Sequence, residues 1–108
     1  FMDFSSLLPD MLNAAQVPLA KQWKQAKPYA EAQIRSFIES MERIALLKLE
    51  GSITEEEANI LINMHKRSMT TVLLTIKGLG LLAIEAAINA ALGVARDTIN
   101  TAIGWKLL

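Results

Sequence analysis

From Glu55 to the end of the chain no proline occurs, and one seam of side chains recurs at helical spacing throughout. It comprises Ala58, Leu61, Ile62, His65, Met69, Val72, Ile76, Leu79, Ala83, Ala87, Ala90 and Val94. A single helix from Glu55 to about residue 103 would be about 70–75 Å long at ~1.5 Å per residue. That is far more than the diameter of a domain of 108 residues. Two resolutions exist. The helix breaks at "KGLGL", where Gly78 and Gly80 each weaken it by about 1 kcal/mol, or it stays whole and packs against other copies. The break is the preferred expectation.

Upstream of Glu55 the pattern is also helical, and only five glycines and three prolines interrupt the chain, so the fold class is all-α. Residues 5–16 suit a short helix capped by Ser5 or Ser6, with Pro9 in its first turn. Pro18 is expected to push Val17 out of the helical region and end it. A second seam runs through Leu19, Trp23, Ala26, Ala30, Ile34, Phe37, Met41, Ala45 and Leu49. Pro28 inside it either kinks the helix or starts a new one. Glu31, Arg35, Glu39 and Arg43 step by four with each acid N-terminal to its base, the favourable order on a solvated face.

The strongest local signal is "LEGSITEEEA". Gly51 suits the left-handed position that ends a helix. Thr54 and Glu57 form a capping box, and Glu55 to Glu57 load the positive end of the next helix dipole. So short a connection predicts an antiparallel helical hairpin. Its arms span about 19–50 and 55–103, the second broken near 78–80, with a short N-terminal helix beside them. Residues 2–108 form a single domain on this reading, packed as an oligomeric helical bundle. Phe1 precedes Met2, so Met2 reads as the natural start.

Composition bears on where the apolar surface goes. Hydrophobic residues make up 52% of the chain and charged residues 20%. Small domains have little interior, so the excess points to a partner subunit or a lipid phase. Eleven basic and eleven acidic residues cancel, and no basic run appears, which argues against nucleic-acid binding. There is no cysteine, hence no disulfide and no thiolate metal site. The start "MDFSSLLPDML" carries no basic region of a secretory signal, and the expected location is cytoplasmic, with membrane association as the alternative.

"AIEAAINAALGVA" holds the candidate interaction residues. Ala83, Ala87, Ala91 and Ala95 lie four apart on one helical face, where small side chains let a second helix approach closely. Arg67, Thr71, Gly78, Glu85, Asn89, Arg96 and Asn100 fall in one narrow polar arc of roughly 60° at ~100° per residue. Glu85 and Arg96 are about 16 Å apart along a helix axis, too far to pair within it. Two antiparallel copies crossing near residue 90 would bring Glu85 of each beside Arg96 of the other and fix the register. As a bilayer span, residues 78–95 are short and carry Glu85 and Asn89 near their centre, both costly in hydrocarbon. Trp105 near the end suits an interfacial anchor.

His65 is the one histidine and reads as a hydrogen-bonded interface residue rather than a metal ligand. Glu55 to Glu57 lack the Glu-x-x-His partner of a di-iron bundle. No nucleophile–His–acid pattern or phosphate-binding loop is present. The expectation is a non-catalytic homo-oligomer with a structural or scaffolding role, using no cofactor, metal or small-molecule substrate. Its interface would comprise Ala83, Ala87, Ala91, Ala95, Glu85, Asn89, Arg96 and His65. The alternative is a lipid-surface protein that inserts residues 72–105.

Overall fold

The computed structural model describes residues 2–108, so the reading of Phe1 as foreign to the natural start lies outside the described residues. Helices α1 (Leu8–Leu19), α2 (Trp23–Leu49), α3 (Glu55–Leu74) and α4 (Leu81–Ile103) carry the fold, with no strand among the described residues.

The helix α1 follows a 3-10 turn at Ser5–Leu7 and has Pro9 in its first turn. Neither Ser5 nor Ser6 caps it. The Asp3 carboxylate instead accepts the Ser5 backbone N–H at 2.8 Å. Hydrogen bonds from the Ser5 side chain and backbone hold the Asp3 carboxyl below its ordinary value. Val17 and Pro18 stay inside the helix, contrary to the expected break before Pro18. The physical reason is Leu19, which is fully buried. Burying such a side chain is worth about 1.5–3 kcal/mol, more than the steric bias against a helical residue before proline. The chain turns at Ala20 instead, at φ 45°, and passes through a second 3-10 turn into α2.

Pro28 starts no new helix and lies inside α2. Its missing N–H leaves the Lys24 carbonyl without a helical partner, and both residues are exposed to water, which satisfies that oxygen. Of the expected ladder of charges, Glu31 and Arg35 pair at 3.1 Å. Glu39 and Arg43 make no ion pair among the described residues.

The chain leaves α2 through the predicted motif. Gly51 adopts φ 72°. Its N–H bonds the Lys48 carbonyl at 3.0 Å and the Ser52 N–H bonds the Leu47 carbonyl at 2.8 Å, a Schellman closure. Thr54 Oγ1 then accepts the Glu57 N–H at 3.1 Å, and Glu57 Oε1 accepts the Thr54 N–H at 2.9 Å. These bonds, the one from the Thr54 backbone foremost, hold the Glu57 carboxyl below its ordinary value.

The long seam beginning at Glu55 is two helices. It breaks over residues 75–80, where Gly78 takes φ 92°. A continuous rod is thereby excluded. Beyond the break α4 folds back into the molecule. It packs most extensively on α1, and more lightly on α3, while α2 lies between α1 and α3. The four helices form a closed ring of neighbours in an elongated body of 43 × 23 × 18 Å. At ~1.5 Å per residue, α2 alone nearly spans the long dimension.

One contiguous core results. Met11, Ala15 and Leu19 from α1 join Phe37, Met41 and Ile44 from α2, Ile62 from α3 and Ile84 and Ile99 from α4. Among the described residues, twenty-six apolar side chains are thereby buried within the chain itself.

Candidate functional site

The alanine row faces inward. Ala87, Ala91 and Ala95 are buried and Ala83 is half-buried, all within the single chain. Close approach of helices at small residues is what the pattern implied, and α1 is the helix in the closest packing relation to α4. The polar members of the predicted interface lie elsewhere. Glu85, Asn89 and Arg96 are exposed on the outer side of α4, and Lys66 and Thr70 of α3 share a shallow groove with Glu85 and Asn89. Asn100, from the same arc, is occupied inside the chain. Its Oδ1 accepts the Leu107 and Leu108 N–H groups at 2.9 and 3.0 Å, and its Nδ2 donates to the Leu108 carbonyl. It thereby ties the C-terminal tail back on α4.

His65 is also engaged within the chain. Its Nε2 lies 2.7 Å from the Ser40 hydroxyl, and its ring meets Phe37 edge-on at 6.5 Å between centroids. The histidine thus belongs to the contact between α2 and α3. Among the described residues no three His, Asp or Glu side chains come together as metal ligands would. Nor, among the described residues, is any helix long and apolar enough to cross a membrane. Inserting residues 72–105 into lipid would take Ile84, Ile88, Leu92 and Ile99 out of the core.

The most exposed of the large apolar side chains lie toward the two ends of the fold, while Met64 of α3 and Val94 of α4 are exposed along the helices. One end gathers the N-terminus, the last turn of α2, the start of α3 and the tail after α4. The Phe4 N–H donates to Glu42 at 2.7 Å. The Lys48 ammonium donates to the Ile103 carbonyl and stands 4.8 Å from the centre of the Trp105 ring. Gly104, at φ 84°, ends α4 against it; a β-carbon there would sit 2.8 Å from Lys48 Nζ. Beside this lock Met2, Ala45, Leu46, Leu49, Ala102 and Ile103, with Lys48 itself, line an open and mostly apolar groove of about 630 Å³.

The opposite end gathers the last turn of α1, the start of α2 and the link before α4, since Gly78 lies against the Gln22 side chain. It presents Val17, Leu81 and Leu82 to solvent. Exposure reaches 84% at Leu49, 83% at Leu82 and 79% at Val17. The sequence pattern missed both ends: it placed Leu49 on the seam of the second helix and Val17 in a break before Pro18, and it gave Leu81 and Leu82 no role on a seam. The only sequence signal for them is an apolar residue adjoining a helix boundary.

No protein-family model matches the chain, and the searches of curated proteins and of solved structures return no match.

Proposed function

We propose that the chain is a non-catalytic structural protein that self-associates into a homo-oligomer through surface its own fold leaves apolar. One observation carries this reading: large apolar side chains stand almost fully in water at both ends of a chain that otherwise buries its core well. Surfaces of this kind, rimmed by polar residues, mark association sites. The building block on this reading is a helical hairpin of α2 and α3 closed by α1 and α4. Ser40 and His65, at similar distances from the connection at residues 50–54, meet as an antiparallel pair would. The commitment of His65 to Ser40 supports a role without catalysis.

The interface on this proposal differs from the eight residues inferred from the pattern. Ala87, Ala91, Ala95 and His65 are engaged within the chain, which leaves Glu85, Asn89 and Arg96 as outer polar neighbours of the contact. Light scattering on a sizing column across a dilution series tests it. Masses above 11.9 kDa that fall with dilution are expected. A mass of 11.9 kDa at every concentration overturns the proposal.

A further inference from the structure

The fold sorts charge along its long axis, although the chain as a whole is neutral. At the end holding Val17, Leu81 and Leu82 lie Lys21, Lys24, Lys27 and Lys77, all exposed. Neither residues 11–30 nor residues 70–84, which build that end, contain an acid. The grooved end carries the acids Asp3, Glu42, Glu50 and Glu55 to Glu57. Against them stand Arg43, Lys48 and Lys106, and the Lys48 ammonium is already held by the Ile103 carbonyl and Trp105. One end thus carries four lysines and no acid, whereas the other carries six acids against three bases, so the two ends differ in net charge.

We propose that self-association is head-to-tail. The lysine-bearing end of one copy seats Leu81 and Leu82 in the groove formed by Met2, Leu46, Leu49 and Ile103 of the next. This rests on the self-association reading above and names its geometry. Charge decides between the alternatives. Pairing like ends about a twofold axis would set four lysines of one copy against the same four of the other, with no acid nearby to offset them. Pairing unlike ends sets those lysines against six acids and three bases, a net attraction. The groove, at about 630 Å³, is of the size of ligand clefts, which run to roughly 300–1,000 Å³, and has room for two leucine side chains. A contact between unlike surfaces repeats, so it generates rings or open filaments rather than a closed dimer.

Two variants test the geometry. Leu49→Asp blocks the groove and Leu82→Asp blocks the apolar projection. Both positions are more than four-fifths exposed, so neither change disturbs the core. Every head-to-tail contact needs one end of each kind. Each variant alone is therefore expected to lose association and run as a monomer. An equimolar mixture is expected to give a complex of one copy of each, with nothing larger, and high salt is expected to dissolve it. If one variant keeps the parental mass, the contact joins like surfaces and the proposal fails. If the mixture stays monomeric while the parental chain associates, head-to-tail docking fails and self-association stands. A parental chain that is monomeric throughout overturns both. Flotation of the parental chain on anionic phospholipid vesicles, lost in Leu82→Asp, with no complex in the mixture, would assign the lysine end to lipid and overturn the proposal.

Discussion

The helices α3 and α4 are of similar length, yet α4 buries eight side chains and α3 four. On α4 the buried set combines the alanines Ala87, Ala91 and Ala95 with the isoleucines Ile84, Ile88 and Ile99, and α4 packs most extensively on α1. On α3 the buried residues are Ala58, Ile62, Met69 and Leu73, and Ile60, Met64 and Leu74 remain exposed. Polar contacts support that side: the Ser40–His65 bond and the Thr54–Glu57 cap. Packing of a shared core holds α4, whereas side-chain hydrogen bonds contribute a larger share to α3. Substitutions on the two helices should therefore differ in size and in their dependence on pH.

The largest effect is expected from Ile84→Ala. The side chain is fully buried, and its removal should cost about 2–5 kcal/mol in chemical denaturation. A loss below that of Met69→Ala on α3 would break the contrast. Enlarging the alanine row comes next. Ala91→Leu is expected to cost about 1–3 kcal/mol, because the side chain is buried and the added carbons overpack the core. An unchanged midpoint would show that the core has room beside Ala91.

On the α3 side the effects are smaller. Ser40→Ala removes the partner of His65 Nε2 and should cost about 0.5–1.5 kcal/mol by thermal or chemical denaturation. Thr54→Ala should cost about 1 kcal/mol through loss of the cap. The Glu57 half of the same box adds a pH signature. Its carboxyl is held below its ordinary value in the folded chain, so the folded state favours the ionised form. The contribution is fully present above that value and is lost as pH falls through the lower folded one. The stability difference between the parental chain and Glu57→Ala should therefore shrink in acid; a difference constant down through that range would contradict the box.

Local chemistry was the legible part. Gly51, Thr54 and Glu57 end one helix and begin another through hydrogen bonds spanning at most five residues, and Gly78 breaks the long seam within the predicted stretch. Capping and backbone conformation are decided by neighbours in sequence, so a motif suffices to read them. The covering of the alanine row was not legible, because its partner α1 lies about seventy residues away and has no marker beyond ordinary helical periodicity. Pro18 misled for a related reason: the burial of Leu19, a tertiary fact, outweighed a local steric rule. The two charged ends were equally hidden. Lys21, Lys24 and Lys27 meet Lys77 only because the link after α3 returns to the start of α2.

The closure of the core within one chain, with association left to the ends, is tested most directly by following mass and helix content together. Light scattering and far-ultraviolet circular dichroism on the same dilution series would do this. Assemblies are expected to fall to an 11.9 kDa monomer whose helical signal per residue is unchanged. Loss of helix in step with loss of mass would contradict it, because the core would then be shared between copies.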